Sequence, residues 1–118
     1  MNLFEVKELL NADVLAGEEI LNTEVSSAFA CDLLSDVLAY VEDKSLLLTG
    51  LVNMQTIRTA EMMDIEAIVF VRGKKPNGEI LELAKENNMV ILSTKHILYT
   101  SCGILHKQGL RGAKIMHK

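Results

Sequence analysis

Apolar and polar positions alternate along this chain in blocks that predict strands and helices in turn. Three strand candidates, residues 45–49, 67–71 and 89–92, are continuously apolar through their centres. Strands buried on both faces have this pattern, which favours parallel pairing beneath helices. The stretches 54–63 and 78–87 lie between these strands, and their lengths suit the helical crossovers that join parallel strands.

The first elements are predicted from a cap and a short extended pattern. Asn2 caps a helix over residues 3–10, and Glu5 at the third helical position closes a capping box. An extended piece over residues 13–16 follows and ends at Gly17. We expect these two elements to precede the alternating series.

The remaining segments complete that series. The stretch 24–30 predicts a strand. Three alternate side chains share one of its faces: Val25, Ser27 and Phe29. Asp32 caps a helix that runs to about Val41, and a last helix covers about residues 95–108. The alternation predicts a three-layer α/β fold with a mostly parallel sheet covered by helices.

Size and composition limit the chain to one compact unit. A chain of 118 residues with 49% apolar residues, 24% charged residues and one proline can bury a core without the help of disulfides or a bound metal. The mean hydropathy of +0.22 is high for a small domain, so we expect an apolar self-association face and a homodimer. We predict one domain over residues 1–110 and a basic C-terminal tail over 111–118.

Charge is unevenly distributed along the chain. All 16 acids fall between Glu5 and Glu86, so residues 1–106 carry 8 − 16 = −8, whereas residues 107–118 hold four cations and no acid. An acidic body argues against nucleic acid as a partner. The tail is either a frayed, solubilising terminus or a contact for an acidic partner or a phosphate.

The sequence predicts a cytoplasmic protein. Residues 1–10 lack the hydrophobic block of a secretory signal, and no apolar run approaches the roughly 20 residues of a membrane span. The two cysteines, Cys31 and Cys102, are predicted to be reduced thiols, because nothing else in the sequence indicates an oxidising compartment.

No motif of a common catalyst is present, so we predict a protein that is not an enzyme and carries no cofactor or metal. The sequence lacks GxxxxGK[ST], GxGxxG, HExxH, GxSxG and a paired CxxC. Cys102 and His106 are spaced to present two metal ligands on one helix, but two ligands do not make a site. Core packing is the simpler explanation of Cys102.

An acidic pair offers one candidate binding site. In open parallel sheets, ligands gather beyond the carboxyl ends of the strands, and Asp32 follows such an end. Asp32 and Asp36 lie four residues apart. A helix cap with a first-turn acid explains the pair. A cation site or a hydrogen-bonding pair for a polar ligand is the alternative, and the same pair is the one candidate for acid–base catalysis.

A basic loop offers another candidate. Arg72, with Lys74 and Lys75, follows a buried strand and precedes Pro76, which suits the first positions of a helix. A basic loop with a glycine can bind a phosphate or a carboxylate, or it is simply a solvated turn. Three polar residues at other strand ends are predicted to cap the helices after them: Asn53, Ser93 and Thr94.

Two stretches of the chain resemble a known family. Residues 14–25, VLAGEEILNTEV, and residues 30–37, ACDLLSDV, are similar to a DRTGG domain, as are Thr49-Gly50, Asn53 and residues 90–94. The resemblance covers about residues 2–110. The family's name-giving residues are replaced around Asn22-Thr23 and Ser26-Ser27.

The resemblance implies a fold like the amino-terminal domain of HPr kinase/phosphorylase and a non-catalytic, dimerising or regulatory role. Similar stand-alone domains accompany iron-only hydrogenases and histidine-kinase-like ATPases, which implies a redox or kinase-like partner. Motif positions carry over these candidate ligand-binding residues: Asp32, Ser35, Asp36, Thr49, Asn53, Ser93 and Thr94.

The sequence therefore supports two main hypotheses. The first is a dimeric regulatory module that binds a small polar or phosphorylated metabolite at the carboxyl ends of its strands, with Arg72 among the binding residues. The second is a docking module for a kinase-like or hydrogenase-associated redox partner, without a small ligand of its own. Nucleic acid and membrane are not expected partners.

Overall fold

The computed structural model describes residues 1–32 and 44–114, and these form one sheet with helices on both faces. The helices are α1 (Leu3–Leu10), α2 (Met54–Met62), α3 (Gly78–Glu86) and α4 (Leu98–Lys107), with a short 3-10 turn at Glu18–Ile20. The strands are β1 (Asp13–Ala16), β2 (Ser27–Ala30), β3 (Ser45–Thr49), β4 (Ala67–Phe70), β5 (Val90–Ser93) and β6 (Arg111–Gly112).

The sheet has the strand order β1-β5-β4-β3-β2-β6. Strand β1 pairs antiparallel with β5, and every other neighbouring pair is parallel. The central register aligns Leu47 with Ile68 and Ile68 with Ile91. The predicted mostly parallel α/β sheet is therefore confirmed. Because its parallel strands run in one direction, their carboxyl ends meet at one edge of the molecule.

Each central strand contributes side chains to two separate cores. Leu46 and Leu48 pack in the core beneath α1 and α4, whereas Leu47 between them packs in the core beneath α2 and α3. All three are essentially inaccessible to solvent. Each such side chain stabilises the fold by about 1.5–3 kcal/mol. The predicted three-layer arrangement follows from this double burial.

The amino terminus is fixed as the sequence predicts. The Asn2 side chain accepts a hydrogen bond from the Glu5 amide, and the Glu5 carboxylate accepts one from the Asn2 amide, both at 2.9 Å. Asn11 ends the helix in the left-handed conformation. Helix α1 is thereby set across the sheet beside α4.

Strand β2 is shorter than predicted. The backbone at Glu24 and Val25 pairs with the amino terminus. Glu24 forms an isolated antiparallel β-bridge with Asn2, and the Val25 amide donates to the Met1 carbonyl. The predicted common face holds for Ser27 and Phe29, which alternate along β2, but is wrong for Val25. Val25 packs in the core beneath α1 and α4, whereas Phe29 packs in the core beneath α2 and α3.

Helix α3 begins at Gly78, as the predicted stretch 78–87 has it, with Asn77 as its cap. The expectation that Pro76 occupies the first positions of this helix is wrong, because Pro76 lies before the cap. The start of the last helix also differs from the prediction. Helix α4 begins at Leu98 with Ile97 at the cap position and no capping side chain. Ser93 and Thr94 therefore do not cap α4. Ser93 is the last residue of β5 and Thr94 follows it, so both lie several residues before the helix begins.

The predicted tail begins with a strand. Arg111 and Gly112 form β6, which extends the sheet beside β2 through the pairs Ser27–Arg111 and Ala28–Gly112. The helix predicted after Asp32 falls on residues 33–43, which lie outside the described residues. Within the described residues, no helix is both long and apolar enough to span a bilayer.

Candidate functional site

Asp32 joins the carboxyl ends of two neighbouring strands. It lies two residues beyond β2, and its Oδ1 atom accepts hydrogen bonds from Thr49 Oγ1 at 2.7 Å and from the Gly50 amide at 2.8 Å. Thr49 is the last residue of the adjacent parallel strand β3. The Thr49 hydroxyl also accepts from the Leu51 amide at 3.1 Å, so its donated hydrogen is directed to Asp32.

The loop after β4 carries the basic residues of the site in an unusual backbone conformation. Arg72 and Gly73 both adopt positive φ, 61° and 70°, although such a conformation is uncommon for arginine. The turn is held from the β5 side, since the Arg72 amide donates to the His96 carbonyl at 2.9 Å and the Gly73 amide to the Thr94 carbonyl at 2.8 Å. The Ser93 hydroxyl donates to the Lys74 carbonyl at 2.8 Å.

This loop brings two cations over Gly50. Lys74 Nζ donates to the Gly50 carbonyl at 3.0 Å. A Cβ atom on Gly50 would lie only 2.7 Å from Arg72 Nη2 and 3.5 Å from Asp32 Oδ2. Glycine at position 50 therefore lets the guanidinium group lie against the backbone, and a side chain there would displace it. We call the group Asp32, Thr49, Gly50, Arg72 and Lys74 the strand-end cluster.

The electrostatics of the cluster favour an ionised carboxylate. The hydrogen bond from Thr49 and the amide of Gly50 lower the pKa of Asp32 below its ordinary value of 3.8, and the charges of Arg72 and Lys74 act in the same direction. Partial burial opposes them. Arg72 and Lys74 are exposed and act on Asp32 through their charge, so both cations can also attract a second anion.

The other predicted site residues have structural tasks or lie elsewhere. Asn53 caps α2, accepting from the Thr56 amide at 2.9 Å, as predicted. The Thr94 hydroxyl donates to the Leu10 carbonyl at 2.8 Å in a buried contact, so it joins α1 to the end of β5. Ser35 and Asp36 lie outside the described residues. Of the predicted set, the structure brings together Asp32, Thr49 and Arg72, with Ser93 supporting the loop.

Two members of the cluster are missing from the predicted set of binding residues. Gly50 was visible as a glycine directly after a buried strand, and Lys74 as a neighbour of Arg72 in the basic loop. Neither feature of the sequence predicts that Lys74 would donate a hydrogen bond to Gly50. Lys75, the third cation of the loop, points elsewhere and pairs with Asp13 at 3.2 Å.

A small polar hollow lies on the other side of the basic loop. It measures about 260 Å³ and is bordered by Gly73, Lys75, Ser93, Thr94 and His96 among others. Ser93 and Thr94 thus line a hollow at the strand ends although the strand-end cluster itself lies beyond the loop. The basic loop is accessible from both sides.

Histidine, cysteine and acidic side chains are the candidate metal ligands of this chain. Within the described residues, no three or more of them are placed so that they could hold a metal ion. On α4, Cys102 is half-buried and His106 is exposed. Burial raises the pKa of the Cys102 thiol above its ordinary value of 9.0, which disfavours the thiolate that a metal would require.

Comparisons with known proteins identify both the fold and the family. No curated protein matches the chain. A solved structure of the CBS and DRTGG domains of the regulatory region of Clostridium perfringens pyrophosphatase, complexed with its activator diadenosine tetraphosphate, matches with a TM-score of 0.74 and 18% identity. The match covers 88% of this chain but only 45% of that one, and at this identity it shows the fold. The family model of the DRTGG domain matches residues 5–107, and the chain therefore belongs to the DRTGG domain family.

Proposed function

We propose that this domain is a non-catalytic regulatory module that binds a small phosphorylated or otherwise anionic metabolite at the strand-end cluster. The observation that carries the proposal is the position of Arg72 and Lys74 over Gly50, held there by a loop of positive φ. Four other non-glycine residues in the described part of the chain also have a positive φ, so the contacts with Gly50, and not the backbone angle of Arg72, carry the proposal.

The chemistry of the cluster suits a phosphate group. The planar guanidinium of Arg72 can bind two phosphate oxygens at once, and Lys74 adds a mobile positive charge. The charge of Asp32 offsets part of the charge of the two cations. Among the described residues, its Oδ1 atom accepts from Thr49 and Gly50, and its Oδ2 atom can accept a hydrogen bond from a ligand hydroxyl. A phosphorylated molecule with a nearby hydroxyl could bind Arg72 and Lys74 through its phosphate and Asp32 through its hydroxyl.

The comparison supports a regulatory role without defining the ligand. The structural relative belongs to a regulatory region that was solved with a nucleotide activator. A nucleotide has the phosphates and hydroxyls that the strand-end cluster can bind. The ligand would act by favouring one arrangement of a homodimer, and it can shift that equilibrium only by its difference in affinity for the two arrangements.

Thermal unfolding tests the proposal with inorganic pyrophosphate as the first probe, followed by a panel of nucleotides. A ligand at 100 times its Kd should stabilise the protein by about 2.7 kcal/mol. Arg72→Ala should abolish the rise in Tm, whereas Arg58→Ala should retain it, because Arg58 is an exposed arginine on α2 outside the cluster. Equal behaviour of the two variants would contradict the proposal.

Docking on a partner protein is the second candidate function. It is favoured by an apolar groove beside α4, which is described below, together with the cations of residues 107–114. Removing residues 114–118 retains β6 and the hydrogen bond from the Ala113 amide to the Ala28 carbonyl, and it should weaken partner binding without loss of fold. A change in solubility alone would argue against docking through the tail.

A further inference from the structure

An open groove of about 670 Å³ lies between α4 and the strands β2 and β6, and none of the residues that line it belongs to the strand-end cluster. We call it the α4 groove. Its volume falls in the range of ordinary ligand and peptide sites. Its lining includes Ala28, Ala30, Cys102, Gly103, Lys107 and Arg111, together with larger apolar side chains of β3 and α4.

The groove exists because small side chains face each other across it. Strands β3 to β5 fill the core beneath α1 and α4 with leucine and valine, but β2 contributes only Ala28 and Ala30 to the groove. Opposite them, α4 presents Cys102 and Gly103. The described residues therefore leave the space between α4 and β2 unfilled, at the side of the sheet where β6 adds two residues.

Gly103 is not explained by packing within the described residues. It lies inside α4, where glycine is less favourable than alanine. A Cβ atom added to it would meet nothing within 4 Å. A glycine on an exposed helix face permits the backbone of another element to approach closely. Nearby, Tyr99 is 85% exposed at the groove, and exposed tyrosines commonly anchor protein interfaces.

Among the described residues that line the groove, Lys107 and Arg111 are cationic and none is acidic, and Arg111 Nη1 also donates to the Gly112 carbonyl at 2.9 Å. Residues 95–118 of the sequence contain five lysines and arginines but no acid. A second copy of the chain in a two-fold arrangement would place this cationic rim against itself. A partner with acidic side chains beside an apolar face would complement both the rim and the floor.

We propose that the α4 groove binds an amphipathic helix of a partner protein, with apolar side chains against Ala28, Ala30 and Gly103 and acidic side chains against Lys107 and Arg111. Helix-in-groove recognition uses this division between an apolar stripe and charged flanks. The groove is separate from the strand-end cluster, so the proposal does not depend on metabolite binding.

Two synthetic helical peptides of about 18 residues test the proposal by fluorescence anisotropy with the full chain. They share one leucine face, and their remaining positions are glutamate in one peptide and lysine in the other. The glutamate peptide should bind at least about tenfold more tightly than the lysine peptide, and its affinity should fall as salt is added. Equal affinities, or no binding of the glutamate peptide, would overturn the proposal.

Charge reversal locates the site. Lys107→Glu combined with Arg111→Glu should weaken binding of the glutamate peptide roughly tenfold or more. Lys85→Glu is the matched control, since Lys85 also lies in the last turn of a helix, α3, but outside the groove. The Lys85→Glu variant should bind the glutamate peptide with the affinity of the wild type. Equal losses in both variants would show a non-specific charge effect and would overturn the proposal.

Filling the groove distinguishes other occupants. Gly103→Leu has open space for its side chain and favours the helix, so the variant should fold and lose the glutamate peptide. Circular dichroism checks the fold. If sedimentation shows that Gly103→Leu instead dissociates a wild-type dimer, a second copy occupies the groove. If dodecanoate binds there and the glutamate peptide does not, the groove is a lipid site. Either result would overturn the proposal.

Discussion

At the scale of single residues, Asp32 has two separable roles. Its Oδ1 atom fixes Thr49 and Gly50, and its charge balances Arg72 and Lys74. Asparagine preserves the acceptor oxygen and removes the charge, whereas alanine removes both. The Asp32→Ala variant should be less stable than wild type by roughly 1 kcal/mol because the buried Gly50 amide loses its acceptor. Urea denaturation of Asp32→Asn and Asp32→Ala measures the difference.

The charge of Asp32 should appear in the pH dependence of stability. Because its pKa is lowered in the folded state, ionised Asp32 stabilises the protein above its ordinary pKa of 3.8, and this contribution disappears as pH falls through the lower folded value. The effect should be small, under about 1 kcal/mol, since the group is largely exposed. Stability of wild type minus that of Asp32→Asn should therefore decrease between pH 6 and 3. A difference that grows on acidification would contradict this assignment.

Two glycines should respond to alanine in opposite directions. Gly103→Ala should stabilise the isolated protein by roughly 0.5–1 kcal/mol, because it favours the helix and meets no neighbour. Gly17→Ala should destabilise it, since Gly17 has a φ of 82° and a Cβ there would lie 2.9 Å from the Met89 carbonyl oxygen. Thermal unfolding of both variants checks the pair. A loss of stability in Gly103→Ala would show a packing role for this glycine.

At the scale of elements, the helix caps show what local sequence can and cannot predict. Asn2 and Asn53 cap their helices as predicted, because each bonds an amide three residues ahead. The prediction is wrong at Ser93 and Thr94, whose hydroxyls bond the carbonyls of Lys74 and Leu10 instead. Those acceptors come from distant parts of the chain, so no local pattern reveals them. Strand β6 is likewise hidden, since two residues have no periodicity.

The cap at Asn53 gives a test that separates structure from binding. Asn53→Ala should cost about 1 kcal/mol, because the Thr56 amide and hydroxyl lose an acceptor. Its affinity for a phosphorylated ligand should stay near that of wild type if Asn53 only caps α2. Urea denaturation measures the loss of stability, and a titration with the ligand measures the affinity. A large loss of affinity at unchanged stability would assign Asn53 to the binding site.

At the scale of the whole molecule, the sheet is well predicted because its central strands are buried on both faces. Their continuous apolar runs indicated parallel pairing, and parallel pairing in turn placed the candidate site at the carboxyl ends. The antiparallel direction of β1 has no such signal. The general location of the strand-end cluster was predictable, but the loop that brings Arg72 and Lys74 to Gly50 has a positive φ at Arg72, which the sequence does not reveal.

The most direct test of the central claim is a titration of the isotope-labelled protein with pyrophosphate, followed through its amide NMR signals. We expect the largest shifts at Gly50 and Gly73, tighter binding in Asp32→Asn, which removes a competing negative charge, and loss of these shifts in Arg72→Ala but not in Arg58→Ala. Shifts that centre on Lys107 and Arg111, or that persist in Arg72→Ala, would contradict an anion site at the strand-end cluster.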